Sequence, residues 1–349
     1  MSDKILTVIV PSYNMEKYLP KCLGSLIVAS ELMEKFEVIV VNDGSRDRTS
    51  EIAHEFEVKY PKTFRVVDKA NGNYGSCINA ALPLVSGKYV RILDADDYYN
   101  TEEFCGFLGD VLALSDNTVD AFVTNFYHVS DLGDVVRLNA YTLDVGILPI
   151  ERLVDAGWIG LHALTYRTDI LKNAEYRQSE GCSYTDLEWD FIPMLSVRSV
   201  SYIPRTVYSY RLGRDGQTMS ENSYAKNFDV VVRITARLIE EYKRVKSTLA
   251  LGSLLYASSF LKARLLYTYQ LVLLNSRYGK HRELLSGLDL EVKKVLPEIS
   301  DELNMMRVSR RFPLRYIRYY RDHGYDSLMM RIARCYIKML GVLRQVWLV

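Results

Sequence analysis

Three stretches, ILTVIVPSYN (5–14), FEVIVVNDGS (36–45) and YVRILDADDYY (89–99), share one construction: an apolar run that breaks off in polar residues. Continuous apolar, β-branched runs of this length read as strands buried on both faces. FRVV (64–67) and VDAFVTNFYHV (119–129) add two more strands. Helical patterns lie between them. One carries Leu19, Leu23, Leu26 and Ile27 on one face with Pro20 in its early turns, a polar one over 47–59 is pinned by Ile52, Ala53 and Phe56, and a small-residue one spans about 74–85. Strands spaced by helices predict an α/β fold with a mainly parallel, doubly wound sheet. From 130 to 225 the pattern is mixed, with the strand-like pieces SVSYIP and TVYSYRL, and from 226 to 349 it is helical, interrupted by Pro297, Pro313 and Gly324.

The chain has 349 residues, 48% hydrophobic and 25% charged, with a net charge of +1, which allows a large core and argues against nucleic acid as a partner. The charge is unevenly spread. From Arg307 onward ten basic residues face two acidic ones, a net +8, so the preceding 306 residues carry −7. The six-residue apolar run near the N-terminus is too short for a signal peptide, and no stretch is long enough to span a bilayer. Five scattered cysteines (Cys22, Cys77, Cys105, Cys182, Cys335) with no CxxC spacing read as reduced thiols of a cytosolic protein.

Parallel strands present their C-terminal ends along one edge, so Pro11-Ser12-Tyr13-Asn14, Asn42-Asp43-Gly44-Ser45 and the aspartates Asp94, Asp96 and Asp97 should converge on one crevice. A carboxylate cluster closing a buried strand is unfavourable unless a cation or solvent receives it. Mg²⁺ or Mn²⁺ takes such oxygens and shares them with substrate phosphates, which points to a metal–diphosphate site. The plainer alternative is a polar turn, and NDGS alone also suits an Asx-turn before Gly44.

VPSYN (10–14), VVNDGSRDRT (40–49), ANGNYGSCINAAL (70–82) and GKYVRILDADD (87–97) together resemble the nucleotide-sugar half of glycosyltransferase family 2, in that family's order. The resemblance implies an A-type glycosyltransferase fold over 1–225, with 1–130 binding the nucleotide sugar and 130–225 the acceptor side. It implies inverting transfer from a nucleoside-diphosphate sugar, with UDP-sugar the expected donor. By the same resemblance, Pro11 and Tyr13 would line the base pocket and Asp43 would accept from the base imide. Asp94 would face ribose and nucleotide, and Asp96, with Asp94, would hold Mn²⁺ or Mg²⁺. Asn71 and Gly75 belong to a loop expected to pass close to the sugar, braced by Asn79. Asp97 has no assigned role.

An inverting transfer also needs a carboxylate base. Ser183-Tyr184-Thr185-Asp186-Leu187-Glu188-Trp189 resembles the family's Glu-Asp pair, with Asp186 at the base position and Thr185 replacing the usual Glu. Glu188 and Asp190 are the alternatives, and acidic residues opening a helix would account for the segment too. Arg211, Arg214 and Gln217 of YRLGRDGQ are candidates to close over the diphosphate, against a plain surface turn. His162 could touch acceptor or phosphate, or be a satisfied core residue.

In the tail, Arg311, Arg315 and Arg318 share one helical face beside Tyr316, Tyr319 and Tyr320. Further on, Leu328, Ile332, Cys335, Met339, Leu343 and Val346 line one side and Arg331, Arg334 and Lys338 another. This is the profile of an interfacial helix on anionic lipid, or of a helical subdomain packed on the body or on a second subunit. A peripheral enzyme at the inner face of the plasma membrane, acting on a glycan or polyprenyl-linked acceptor in capsule or exopolysaccharide assembly, is the resulting expectation. The alternatives are a nucleotidyltransferase of related fold and a non-catalytic glycan-binding protein.

Overall fold

The computed structural model describes residues 4–114, 119–213 and 221–341; Arg214, Gln217, Leu343 and Val346 lie outside them. The chain divides into two compact units, Met1–Gln217 with Leu249–Tyr256, and Thr218–Thr248 with Ala257–Val349.

The first unit is built on one ten-stranded sheet: β1 (Leu6–Ser12), β2 (Phe36–Asn42), β3 (Phe64–Asp68), β4 (Tyr89–Ile92), β5 (Tyr98–Tyr99), β6 (Ala121–Val129), β7 (Val135–Asn139), β8 (Gly146–Pro149), β9 (Leu164–Arg167) and β10 (Ser199–Arg211). The strand order is β3-β2-β1-β4-β9-β6-β10-β5, with β7 beside β6 and β8 beside β10. β3, β2, β1 and β4 are parallel, as the apolar runs predict, and Val8, Ile9, Val10, Val38, Ile39, Val40 and Val41 have no exposed surface. β9 then enters antiparallel to both β4 and β6, so the sheet is mixed rather than mainly parallel. The pieces SVSYIP and TVYSYRL are one 13-residue strand, parallel to β6, with register shifts between Ile203 and Tyr208.

Helices α1 (Leu19–Gly24), α2 (Ser30–Met33), α3 (Thr49–Lys59), α4 (Tyr74–Ala81), α5 (Thr101–Ala113), α6 (Thr168–Asn173) and α7 (Asp186–Phe191) connect these strands. The helix expected over 74–85 ends at Ala81 and continues as a 3-10 turn, Leu82–Leu84, where Pro83 cannot supply the next N–H. Asn100 caps α5 by accepting from the Glu102 and Glu103 amides.

The second unit contains α8 (Glu221–Lys226), α9 (Phe228–Val245), most of α10 (Leu251–Leu274), α11 (Arg282–Val295), α12 (Pro297–Asn304), α13 (Tyr316–His323) and α14 (Leu328–Leu340). Arg321, from the basic run, is not a surface charge. Its guanidinium donates to Asp289 Oδ1 at 2.6 Å, to Asn304 Oδ1 at 2.7 Å and to the Ser300 carbonyl, which ties α13 to α11 and α12.

Candidate active site

The register Pro11↔Val41 and Ser12↔Asn42 sets the ends of β1 and β2 side by side. Pro11 is buried there and Tyr13 is 42% exposed. Asn14 turns the chain at φ 54°, and its side chain accepts from the Arg46 amide, binding the two strand ends together.

Asp43 is 2% exposed and organises the 69–76 loop. Oδ1 accepts from the Lys69 ammonium at 2.6 Å and the Gly72 amide at 2.9 Å, and Oδ2 accepts from the Asn73 amide at 2.9 Å. Asn71, in the loop expected to pass close to the sugar, is exposed and donates through Nδ2 to the Asp43 carbonyl. Asn73 holds φ 67°, a conformation costly for a side-chain-bearing residue and kept only by its surroundings. Asp43 therefore fixes the loop, and Oδ2 keeps the capacity to accept a second donor.

The aspartates divide by environment. Asp94 is half-buried and accepts from the Tyr74 hydroxyl at 2.7 Å. Asp97, to which the motifs assign no role, is 1% exposed; it accepts from the Tyr208 hydroxyl and from the Arg211 amide, each at 2.7 Å. Burial, then the charges of Asp96 and Asp94, push its carboxyl well above the usual range. The register shifts of β10 aim Tyr208 and Arg211 at this turn, a usual effect of bulges. Tyr208 donates to Asp97 while its oxygen also receives the Asp94 amide at 3.2 Å.

Arg211, a candidate to close over the diphosphate, is 5% exposed at the end of β10. Its guanidinium donates to the Asp96 carbonyl at 2.9 Å and the Asp131 carbonyl at 2.6 Å, and lies over the Tyr18 and Tyr98 rings. In this arrangement it holds the aspartate turn from behind.

Among the described residues, Asp94, Asp97 and His162 bring ligand atoms within 4.8 Å of one another, an oxygen-rich set with one imidazole; Asp96 is not in that group. Burial is the first cause that lowers the His162 pKa to about 3, so the ring is neutral, and it packs against Tyr208, Tyr210 and Phe126. The His162 segment is set by Arg91. That side chain is fully buried in β4, donates to the His162 carbonyl at 2.6 Å and Thr124 Oγ1 at 3.0 Å, and sits over the Tyr99 and Phe107 rings. No sequence periodicity marks Arg91, because it stands in an otherwise apolar strand.

Asp186 opens α7, directly after Tyr184 at φ 63° and Thr185. Its charge raises the Tyr74 and Tyr210 hydroxyl pKa values together with that of Asp94, although burial is the first cause in both. Asp186 and the aspartate turn thus act on the same two phenols. Glu188 and Asp190, the alternatives, are otherwise engaged. Glu188 is fully buried and accepts from the Ser179 amide and hydroxyl, both at 2.7 Å. Asp190, 2% exposed, accepts from Trp158 Nε1 at 2.9 Å, and burial raises its pKa well above the usual carboxylate range.

A staple joins the two sides. Gly181 N donates to the Gly72 carbonyl at 2.9 Å. Asn79 Nδ2 donates to the Gln178 carbonyl, and Asn79 Oδ1 accepts from the Gln178 amide at 2.8 Å. Asn79 therefore braces the 178–180 segment rather than its own loop. Gly75 passes so close that a Cβ would stand 2.0 Å from the Ser179 carbonyl oxygen, so its role is this backbone approach.

The comparisons with known proteins agree with this architecture. Residues 7–147 match the model of "Glycosyl transferase family 2". An uncharacterised glycosyltransferase of Mycoplasma genitalium is 40% identical over 105 residues, 30% of this chain and 35% of that protein. The poly(ribitol-phosphate) beta-N-acetylglucosaminyltransferase TarS of Staphylococcus aureus is 29% identical over 233 residues, 66% of this chain and 39% of its own length. The chain thus spans little more than a third of these relatives. The crystal structure of S. aureus TarS 1–349 superposes with a TM-score of 0.70 at 20% identity, over 97% of this chain and 92% of that one, which shows a shared A-type glycosyltransferase fold. With the four motifs, the sheet and the converging strand ends, these matches identify a chain that carries a glycosyltransferase family 2 domain.

Proposed function

We propose that this protein transfers a sugar, with inversion, from a UDP-linked donor to a hydroxyl of a glycan or lipid-linked acceptor in surface-polysaccharide assembly. The observation that supports the reading is the Asp94–Asp97 turn after β4, where Tyr74, which donates to Asp94 at 2.7 Å, also feels the charge of Asp186. TarS of S. aureus has been crystallised with UDP-GlcNAc, which supports a UDP-sugar as donor. In the reaction, an Asp186 carboxylate oxygen takes the acceptor hydroxyl's proton as that oxygen attacks the anomeric carbon. The bond from the anomeric carbon to the diphosphate oxygen breaks on the opposite face, and UDP departs. Asp43 Oδ2 accepts from the uracil imide, beside Pro11 and Tyr13. Asp94, with Asp96, Asp97 and His162 nearby, suits a Mn²⁺ or Mg²⁺ ion, whose chemistry when bound is to offset charge on the diphosphate. Arg214 and Gln217, outside the described residues, are further candidates to contact the diphosphate.

The test is UDP release from UDP-N-acetylglucosamine and UDP-glucose, with Mn²⁺ or with EDTA. Metal-dependent release that is lost in Asp94→Ala is expected. Release indifferent to both would overturn the metal reading, and no release from any nucleotide sugar would overturn the enzyme reading.

A second proposal concerns the tail: peripheral binding to the cytoplasmic membrane surface. Among the described residues no helix is long and apolar enough to cross a membrane. In α14 the buried face is Met330, Ala333 and Ile337, while Leu328 (72%), Ile332 (43%), Met339 (80%) and Cys335 are exposed on the other side, with exposed Arg331 and Lys338 beside them. Arg334 is turned inward over the Tyr325 ring and does not join that basic edge. Co-sedimentation with phosphatidylglycerol vesicles is expected, and Leu328→Glu with Met339→Glu should abolish it. Equal binding by that double variant sinks the membrane proposal.

A further inference from the structure

Large apolar side chains are normally withdrawn from water, so an indole that is half exposed yet rigidly held calls for an explanation. Trp158 is 53% exposed, and its Nε1–H donates to Asp190 Oδ2 at 2.9 Å. Asp190 is 2% exposed and stands on α7 four residues after Asp186. Residues four apart on a helix share a face, about one turn apart, so the indole is tethered one turn from the proposed base. Asp186's charge acts on Asp190, in agreement with that proximity.

Two further features shape the loop that carries the ring. A Cβ on Gly160 would stand 3.3 Å from Trp158 Nε1 and 3.6 Å from Asp190 Oδ2, so a glycine gives the tether its room. Four residues after Trp158, His162 reaches the Asp94–Asp97 group, and its carbonyl is held by Arg91. The loop is thereby anchored at both ends of the short run 158–162. A flat, pre-positioned aromatic face needs little ordering on binding, and its exposed carbons match the C–H face of a pyranose ring. Bare polyol phosphates lack such a face.

We infer that Trp158 is a stacking platform for the acceptor, and that the acceptor presents a hexopyranose ring there, one helical turn from the base that deprotonates its hydroxyl. The inference rests on the glycosyl-transfer reading. Asp190 and Gly160 act as positioning residues, holding the indole edge so that its face stays toward the incoming sugar.

The experiment measures transfer from UDP-N-acetylglucosamine and UDP-glucose to methyl β-D-glucopyranoside, methyl β-D-galactopyranoside and ribitol 5-phosphate. For a hexopyranoside acceptor, Trp158→Ala should raise the acceptor KM about tenfold or more, the scale of a lost aromatic hot spot, without a matching rise in the donor KM. Trp158→Phe keeps a ring but loses the N–H that tethers it to Asp190, and should recover part of the acceptor KM. Gly160→Ala, which retains the indole but crowds its tether, should give an intermediate rise and guards against a Trp158→Ala protein that does not fold. Equal rises in donor and acceptor KM, no rescue by Trp158→Phe, or preference for ribitol 5-phosphate over both glycosides would overturn the inference while leaving glycosyl transfer intact. Failure of the unaltered protein to release UDP from either donor would instead overturn the underlying reading, and this inference with it.

Discussion

Gly75→Ala should damage both stability and transfer, through a route that begins at one carbonyl. The new methyl would stand 2.0 Å from Ser179 O, 3.0 Å from Gln178 Cβ and 3.1 Å from the Ser179 carbonyl carbon. Non-bonded carbon contacts are comfortable only near 3.5 Å, so one of the two backbones must retreat by roughly an ångström. Neither is free to do so. Gly181 N is bonded to Gly72 O, Gln178 is bonded twice to Asn79, and Ser179 is bonded twice to Glu188 of α7. Overpacking of this kind costs about 1–3 kcal/mol. In a unit of this size that lowers the melting temperature by about 2–4 °C per kcal/mol. If α7 takes part of the shift, Asp186 moves with it, and a misplacement of about 1 Å can lower turnover on the order of a hundredfold. The assay pairs thermal unfolding with steady-state transfer, using Gly109→Ala as the control. Gly109 lies in α5, where an added Cβ meets nothing within 4 Å, so that change should stabilise by about 0.5–1 kcal/mol. A Gly75→Ala protein with unaltered melting temperature and transfer rate would refute the staple.

Asp186→Asn should lose transfer by about 10²- to 10⁴-fold with little change in melting temperature, whereas Glu188→Ala strands the part-buried Ser179 amide and should cost about 1–3 kcal/mol of stability; the reverse pattern would exchange their roles. Asp97→Asn keeps an oxygen for Tyr208 or for the Arg211 amide but not for both, so denaturant unfolding should register a loss of about 1–3 kcal/mol. His54 bonds to Asp68 and to Glu57, each at 2.8 Å, and these bonds, Asp68's first, raise its pKa above 6.5. Protonated His54 therefore favours the folded state fully below pH 6.5, and that contribution is lost as pH rises through the raised folded-state value. Melting temperatures of the unaltered protein and of His54→Ala should converge above that value; a gap that widens with pH contradicts the ion pairs.

The parallel half of the sheet was legible because its signals are local. A run such as TVIV needs only its own residues to be read as a buried strand, and polar clusters at three strand ends follow from sheet geometry. What escaped depends on partners distant in sequence. Asp97 takes its role from Tyr208 and Arg211, more than a hundred residues downstream, and Asn79 from Gln178. β9 was invisible because LTYR is four residues long and has no pattern of its own; its place follows from pairing with β4 and β6. The bonds of Arg211 to the Asp96 and Asp131 carbonyls were not legible either, since an arginine near glycines reads the same from sequence whatever it faces. The apolar face of α14 shows a subtler gap: Leu328, Ile332, Cys335 and Met339 do share a side, but Met330, Ala333 and Ile337 do the packing.

The long strand β10 has a consequence for how the protein comes into being. The residues that close the aspartate turn, Tyr208 and Arg211, leave the ribosome about 110 residues after Asp97. Synthesis proceeds at roughly 5–20 residues per second, so the nascent chain carries the unfinished turn for roughly 5–20 seconds. A fragment cut at the end of the family match, residue 147, would hold every motif that names the domain yet lack the strand that completes its site. The smallest piece that keeps the closed aspartate turn therefore extends past Arg211, and dissection of this chain should begin from that boundary.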